Sequence, residues 1–272
     1  MTEEKMNNVN KTLYIPLYGK AYVSKKGLFL SDERAELIWE QEKFPLKGKS
    51  KSKWLAYYMG IRSAVFDRWT RQKILSMGED VAVIHIGCGM DSRVLRVGCE
   101  NVEWWDVDMP EVIRERMRYY NESNLYKMIG GDVRRSDWME RIPKRKNAVV
   151  VIEGVSMYLT QSELEGLFSA LGDHFENVSV LMDCYTDFAA KMSKYKNPVN
   201  DVGVSSVYGI DDPTLFEKSG LSYVREHEMT PKKYVDELKG REKVIFSKLY
   251  AGRFSKKLYR LFEYEKKSST DE

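Results

Sequence analysis

The feature that most constrains this chain is an apolar segment that runs directly into two glycines, Val81-Ala-Val-Ile-His-Ile-Gly-Cys-Gly-Met-Asp91. A short run of β-branched and small apolar residues bounded by glycine predicts a buried strand followed by a tight turn. Gly87 and Gly89 lack a Cβ, so the backbone can turn sharply and a ligand can approach it closely. A strand that ends in such a turn is typical of the first unit of a nucleotide-binding α/β domain.

The chain beyond this turn alternates between predicted strands and predicted helices. Strands are expected near residues 81–86, 102–107, 126–130, 147–152, 177–184, 221–229 and 258–265, and helices near 91–97, 109–122 and 162–174. Apolar strands joined by helical crossovers predict a mostly parallel sheet covered on both faces, which is a Rossmann-like α/β fold. The alternating segment at 258–265 is expected to lie at or near an edge of the sheet.

The residues before the first strand have a different pattern, which predicts two amphipathic helices near 31–44 and 54–77. We therefore expect residues 1–77 to form a helical cap and substrate lid, 78–266 a nucleotide-binding core with a lid insertion at 185–212, and 267–272 a disordered tail. The aromatic residues expected to roof the pocket, together with that insertion, are Tyr14, Tyr18, Tyr22, Phe29 and Tyr57.

Composition limits the classes of partner. The 272 residues carry a net charge of +3 with both signs mixed, which gives no reason to expect a nucleic-acid partner. No segment has the length and apolarity of a membrane span or of a secretory leader, so we expect no membrane partner and a cytoplasmic location. Three cysteines without a Cys-x-x-Cys pair, and three scattered histidines, predict no metal site.

Acidic residues stand at the ends of three further predicted strands. Asp106 and Asp108 end the second strand, Asp132 and Val133 follow the third, and Glu153 directly follows the fourth. The carboxyl ends of the strands line the ligand crevice of an open parallel sheet. Asp108 is the candidate for a ribose, because a carboxylate can accept protons from both hydroxyls. Asp132 and Val133 are the candidates for an adenine ring, and Glu153 for a cationic group.

The glycine turn has the form Gly-x-Gly, and no basic partner for a pyrophosphate accompanies it. This favours a nucleoside without phosphates, such as S-adenosylmethionine (SAM). Arg62 is the candidate for its carboxylate, through the bidentate fork of a guanidinium. Tyr158 is the candidate for the substrate side. Each residue also has an alternative without a ligand. Asp132 could be a turn acid and Glu153 a helix-capping acid, while Arg62 could be a solvated charge and Tyr158 a buried core residue.

Three segments, in this order, resemble the leucine carboxyl methyltransferase family, and more closely its bacterial branch of tetracenomycin-type polyketide O-methyltransferases. They are Gly87-Cys-Gly-Met-Asp-Ser-Arg93, Trp105-Asp-Val-Asp-Met-Pro-Glu-Val112 and Glu153-Gly-Val-Ser-Met-Tyr-Leu159. The segments 12–21 and 60–67 also look like that branch, and the resemblance covers roughly residues 12–185. Small departures occur at Ser92, where threonine is usual, and at His85 and Ile86, where Asn-Leu is common.

The resemblance implies the class I SAM-dependent methyltransferase fold, a seven-stranded sheet whose last strand is antiparallel. It also implies cofactor contacts. Arg62 is expected to bind the SAM carboxylate, the turn at Gly87 and Gly89 to approach the methionyl part, and Asp108 to hold the ribose. Asp132 and Val133 are expected to flank the adenine, and Glu153 to contact the methionyl amino group. No acceptor-binding motif and no catalytic residue follow from the resemblance.

The predicted function is O-methyl transfer from SAM to a small or medium apolar, polyketide-like metabolite, with S-adenosylhomocysteine as product and no metal. A carboxylate acceptor is already a nucleophile at neutral pH and needs no base. A hydroxyl acceptor would need one, and the sequence offers no clear candidate. Two alternatives stay open, which are methylation of a protein C-terminal carboxyl group and SAM binding without methyl transfer.

Overall fold

Three α-helices and one short 3-10 helix (Gly48–Lys51) precede the sheet among the described residues of the computed structural model, which are 3–42, 44, 46, 48–98, 101–193 and 207–266. The α-helices are α1 (Glu3–Lys25), α2 (Glu33–Glu42) and α3 (Lys53–Met77). The Ser52 side chain caps α3 by accepting a hydrogen bond from the Trp54 amide. The two helices predicted for this region correspond to α2 and α3, while α1 continues through Pro16 and was not predicted as a helix.

Seven strands form a single sheet in the order β3-β2-β1-β4-β5-β7-β6. They are β1 (Val81–Ile86), β2 (Glu103–Asp108), β3 (Tyr126–Gly130), β4 (Asn147–Ile152), β5 (Asn177–Tyr185), β6 (Ser222–Glu226) and β7 (Tyr259–Lys266). Strands β1 to β5 pair in parallel, whereas β7 is antiparallel to both β5 and β6. The predicted fold, a mostly parallel seven-stranded sheet with an antiparallel last strand, is confirmed. Strand β7 lies one position inside the edge that β6 forms.

Short helices connect the strands. They are α4 (Arg93–Val97), α5 (Pro110–Arg116), α6 (Gln161–His174), α7 (Asp187–Ser193), α8 (Lys232–Val235), α9 (Gly240–Leu249) and α10 (Arg253–Lys256). Helix α5 is shorter than the predicted 109–122, because the chain turns after Arg116 and the Tyr120 hydroxyl donates to the Met90 carbonyl at 3.0 Å. The predicted lid insertion at 185–212 contains α7, while its residues 194–206 and the predicted tail at 267–272 lie outside the described residues.

Each face of the sheet has its own core. Ile61 and Phe66 of α3 pack with Leu181 of β5 on one face, which we call the cap face. Leu164 and Phe168 of α6 pack with the even-numbered residues of β5 on the other. Because successive strand residues point to opposite faces, the odd-numbered residues of β5 face α3. No helix in the described part of the chain is long and apolar enough to cross a membrane.

The turn after β1 requires glycine. Gly87 and Gly89 have φ angles of 67° and 49°, in the left-handed region that side chains disfavour. A Cβ at Gly87 would lie 2.0 Å from Cγ2 of Val155, in the segment after β4. The Gly87 amide donates to the Val107 carbonyl at 2.7 Å. The turn is therefore fixed between the ends of β2 and β4.

Gly87→Ala is expected to lower the free energy of unfolding by about 2–4 kcal/mol, because both the backbone conformation and the contact with Val155 oppose a methyl group. Gly166→Ala is a matched control, since a Cβ at this position in α6 meets nothing within 4 Å. The control should stabilise the helix by up to about 1 kcal/mol. Urea denaturation measures both variants, and an unchanged Gly87 variant would contradict this account of the turn.

Candidate active site

Asp108 joins the glycine turn to the end of β2. Its Oδ2 accepts a hydrogen bond from the Gly89 amide at 2.8 Å, and its Oδ1 accepts one from the Met109 amide at 2.7 Å. Burial raises the pKa of Asp108 to about 6 in spite of these two bonds. The charged carboxylate thus has fewer donors than its burial demands, and two further hydroxyl donors from a ligand would favour its ionised form.

Asp106, two residues earlier, is fully buried and has a complete set of protein partners. It accepts from the Trp104 indole at 2.9 Å and the Tyr126 hydroxyl at 2.7 Å, and it pairs with Arg116. Burial opposes ionisation, but Arg116 together with His85 and the Tyr126 hydroxyl outweighs it and lowers the pKa of Asp106 to about 2. Arg116 also donates to the Gly89 carbonyl at 2.9 Å. The cation beneath the glycine turn is therefore already neutralised, which leaves it unsuited to a pyrophosphate.

Arg62 lies between two buried carboxylates at the ends of β4 and β5. Its Nε donates to Glu153 Oε1 at 2.9 Å, and its Nη1 donates to Asp183 Oδ2 at 2.8 Å. The Ser63 hydroxyl also donates to Glu153, and the Gly154 amide donates to Asp183 Oδ1 at 2.6 Å. Arg62 and Glu153, which the sequence placed in one site on separate grounds, are therefore in direct contact.

The two carboxyl groups beside Arg62 have opposite pKa shifts. Burial opposes the charge on Glu153, but Arg93 and Arg62 outweigh it and lower its pKa to about 2. Burial raises the pKa of Asp183 above its ordinary value, although Arg62 and the Gly154 amide favour its ionised form. Glu153 is therefore a fixed anion, whereas Asp183 holds a proton more readily. The sequence-based prediction missed Asp183, whose signal is an acid within an otherwise apolar strand.

Arg93 connects this cluster to the glycine turn. The side chain is fully buried and pairs with Glu153. Its Nε donates to Asp67 at 2.7 Å, and its Nη1 lies 3.1 Å from Nε2 of His85. The orientation of the Glu153 carboxylate thus depends on a residue of α4. This role could not be predicted from the sequence, because an arginine at the start of a helix is usually solvated.

Asp91 carries the network onward to the cap. It pairs with Lys20 of α1 at 3.0 Å and with Arg96 at 2.8 Å, and Arg96 also pairs with Asp32 at 2.6 Å. Burial opposes the charge on Asp91, but Arg96 and Lys20 hold its pKa well below the usual range. The acid at the end of the glycine turn therefore attaches the turn to α1 through Lys20.

Asp132 and Val133 follow β3 after one intervening glycine, Gly131, beside the end of β2. The Gly131 amide donates to the Asp108 carbonyl at 2.9 Å, which holds the two strand ends together. The Asp132 carboxylate pairs with Arg134, and this hydrogen bond lowers the pKa of Asp132. Val133 borders a surface hollow of about 470 Å³ between this loop and α6. To contact an adenine amino group, the Asp132 carboxylate would have to accept a hydrogen bond from it in addition to those from Arg134.

Tyrosine side chains surround the Arg62–Asp183 pair, and we call this set the phenol cluster. Its members are Tyr58 of α3, Tyr158 after β4, Tyr185 of β5 and Tyr259 of β7. The Tyr185 and Tyr259 rings meet edge to face with centroids 4.5 Å apart, and those of Tyr58 and Tyr259 lie 5.8 Å apart. Burial raises the pKa of Tyr58 and of Tyr158, so both phenols stay neutral. The sequence-based prediction included Tyr158 alone.

The aromatic residues that were expected to roof the pocket pack largely on one another. Tyr57 is fully buried, and its ring contacts those of Tyr22, Phe29 and Phe246. It therefore belongs to the interior of the cap. The described residues hold no group of three or more His, Cys, Asp or Glu side chains suited to a metal ion.

Comparison with known proteins connects these residues to a family. Residues 13–172 match the model of the leucine carboxyl methyltransferase family. The tetracenomycin polyketide synthesis O-methyltransferase TcmP of Streptomyces glaucescens is 30% identical over 188 residues, which are 68% of this chain and 69% of the relative. The SAM-dependent methyltransferase dpfgK of Gibberella zeae is 26% identical over 191 residues, 64% of each chain. The resemblance predicted from the sequence segments is confirmed.

Solved structures are more distant. Magnesium protoporphyrin IX methyltransferase from Synechocystis PCC 6803 with bound S-adenosylhomocysteine is 10% identical, with a TM-score of 0.49. The alignment covers 86% of this chain and 93% of that structure. A likeness at this level has no bearing on the acceptor.

Asp108→Asn is expected to change how stability depends on pH in the absence of ligand. The pKa of Asp108 rises from an ordinary value of 3.8 to about 6 on folding. The folded state therefore binds more protons than the unfolded chain in this window, and stability falls as the pH rises through it. The difference in melting temperature, variant minus wild type, should increase between about pH 4 and about pH 7. Asp137→Asn, at an exposed carboxylate, is the control, and a pH-independent difference for Asp108→Asn would contradict the prediction.

Proposed function

We propose that this chain, which belongs to the leucine carboxyl methyltransferase family of SAM-dependent methyltransferases, methylates an oxygen of a small or medium apolar metabolite. The observation that carries the proposal is the meeting of Asp108, Glu153 and Arg62 at one edge of the sheet, beside the phenol cluster. SAM supplies a methyl group on a positively charged sulfur, which an acceptor oxygen can displace in line. The residues at the edge match the charged and hydroxyl groups of SAM along its length.

The cofactor contacts in this proposal are those that the family resemblance implies, and the geometry of each side chain supports them. Asp108 binds the ribose hydroxyls, which supply the donors that its buried carboxylate lacks. Glu153, a fixed anion, faces the methionyl ammonium group. Arg62 binds the SAM carboxylate with Nη2, since Nε and Nη1 are already bonded to Glu153 and Asp183. Gly87 and Gly89 let the backbone approach the methionyl chain.

The residues proposed for the adenine ring have competing contacts within the protein. Asp132 and Val133 lie next to the ribose acid, as adenine contacts require, but Asp132 is paired with Arg134. We assign the ring to the surface beside Val133, with Asp132 accepting from the adenine amino group.

The protein contributes orientation and exclusion of water to the reaction. Arg93 and Ser63 fix the Glu153 carboxylate, and the cap helix α3 covers the ends of β4 and β5. Exclusion of water from the acceptor oxygen increases its reactivity. Binding both reactants in a fixed orientation removes the entropic cost of bringing them together. These effects suit a transfer in which two bound groups must meet in line.

The relative TcmP supports a polyketide-like acceptor, whereas the name of the family supports a protein C-terminal carboxyl group. A screen with methyl-labelled SAM separates these functions. The panel contains naphthols, naphthoates, larger polycyclic phenols and acids, and a peptide that ends in leucine. Label on a small apolar compound supports the proposal, and label on the peptide alone supports the second function. SAM binding without transfer to any member would reject both.

Asp108→Ala is expected to weaken SAM binding about tenfold, the effect of losing a charge-assisted pair of hydrogen bonds. The binding of S-adenosylhomocysteine should weaken by the same factor, because both molecules have the same ribose. Calorimetry at constant pH measures both affinities. Asp137→Ala removes an exposed carboxylate as the control and should leave them unchanged. If the Asp108→Ala variant binds SAM as tightly as the wild type, Asp108 does not bind the ribose.

A further inference from the structure

We propose that His85 is a positioning residue for SAM, because its imidazole fixes the guanidinium of Arg93, which in turn orients Glu153. This role rests on the proposed contact between Glu153 and the methionyl ammonium group, and it places the control of that contact inside the sheet. His85 lies in β1, one residue before the end of the strand, and is buried. In the register of the sheet it is the partner of Asp106 in β2.

The two ring nitrogens of His85 face groups of opposite character. Nε2 lies 3.1 Å from Nη1 of Arg93, and Nδ1 lies 3.2 Å from Oδ1 of Asp106. The Trp104 ring meets the imidazole edge to face, with centroids 6.4 Å apart. Two polar neighbours and one ring therefore hold the imidazole in a single orientation.

These neighbours determine where the imidazole carries its proton. A guanidinium has N–H donors and no acceptor, so Nε2 must accept from Arg93 through its lone pair. The ring proton is therefore on Nδ1, where it faces the Asp106 carboxylate. The charged groups around the ring are Asp106, Arg93 and Asp91. Burial lowers the pKa of His85 in spite of Asp106, and the positive charge of Arg93 acts in the same direction as burial. His85 is therefore a neutral acceptor with one tautomer.

His85 supplies the third fixed acceptor of the Arg93 guanidinium. Nε of Arg93 donates to Asp67 at 2.7 Å, Nη2 pairs with Glu153, and Nη1 has its hydrogen bond with the imidazole. The three acceptors come from α3, from the end of β4 and from β1, so together they fix the position and the rotation of the planar group. Without the imidazole, Nη1 loses its acceptor and the guanidinium is free to turn away from Glu153.

The orientation of Glu153 connects His85 to SAM. Arg93 pairs with Oε2 of this carboxylate, while Arg62 and Ser63 donate to Oε1 at 2.9 and 3.0 Å. Separate donors on the two oxygens fix the plane of the carboxylate. In the proposed complex this carboxylate faces the methionyl ammonium group, which an ordinary nucleoside lacks. His85 therefore acts on the binding of the amino-acid part of SAM.

The ribose side of the site does not depend on His85 in the same way. Asp106 accepts from the Trp104 indole and the Tyr126 hydroxyl and pairs with Arg116. These partners remain when the imidazole is removed, so the end of β2 that carries Asp108 keeps its support. A substitution at His85 should therefore affect ligands that have the amino-acid part and spare those that lack it.

The first test determines the tautomer of His85 in the wild-type protein. The chain has 3 histidines, so nitrogen-15 NMR of histidine-labelled protein resolves each ring, and His174→Gln and His227→Gln assign the other two. We expect His85 to have a protonated Nδ1 and an unprotonated Nε2 from about pH 6 to about pH 8. A charged imidazole or a proton on Nε2 at neutral pH would overturn the inference, because neither form can accept from Arg93.

The second test compares two ligands by calorimetry. S-adenosylhomocysteine has the amino-acid part, whereas methylthioadenosine has the same nucleoside without it. His85→Leu should weaken the binding of S-adenosylhomocysteine about tenfold, the effect of one lost hydrogen bond to a charged group, and should leave methylthioadenosine unchanged. His85→Gln, whose amide oxygen can replace Nε2 as acceptor, should recover most of the loss. His174→Leu, in α6 on the other face of the sheet, is the control. Equal weakening of both ligands would indicate a structural role and overturn the inference.

Glu153→Gln separates a failure of this inference from a failure of the proposed cofactor contact. The substitution should itself weaken the binding of S-adenosylhomocysteine, and His85→Leu added to it should cause no further loss, since both residues act on the same contact. Wild-type affinity in Glu153→Gln would mean that Glu153 does not bind the ammonium group. If Glu153→Gln weakens binding but His85→Leu does not, or if the two losses add in full, the contact is correct and His85 does not position it.

Discussion

A buried guanidinium shared by two carboxylates is the interaction on which the rest of this site depends. Arg62 comes from the cap, Glu153 follows β4, and Asp183 lies in β5, so one side chain fixes three elements together. Removing one partner of a buried ion pair leaves an uncompensated charge, which typically costs about 3–5 kcal/mol. The position of α3 over the strand ends is therefore determined by charge as well as by apolar packing.

The ion pairs around this centre extend to the glycine turn. Arg93 bonds Glu153 and Asp67, while Asp91 at the end of the turn bonds Lys20 and Arg96. Each carboxylate in the chain of contacts has a guanidinium or ammonium group as a neighbour, so charges that would be costly alone are tolerated together. Asp108 accepts hydrogen bonds only from the Gly89 and Met109 amides among the described residues, and this incomplete bonding sets it apart from Asp106.

The sequence predicted the sheet and half of the site for one physical reason. Parallel strands end at the same edge, so acids that follow apolar strands must meet, and Asp108 and Glu153 could be placed without coordinates. The sequence analysis did not predict Asp183, because this residue lies inside an apolar strand. The face to which its side chain points and the degree of its burial depend on the neighbouring elements. Arg93 escaped because a buried arginine has no local signature. The phenol cluster escaped because its members come from four separate elements.

The order of the strands has a consequence for how the protein is made. Strand β7 pairs with both β5 and β6, and it provides the only sheet contact of β6 among the described strands. During synthesis, β5 therefore has one unpaired edge until residues 259–266 have emerged. Tyr259 of β7 is placed beside Tyr185 of β5 in that same step. The ends of β1, β2 and β4 can thus come together while the chain is still being made, whereas the sheet closes only after β7 has been added.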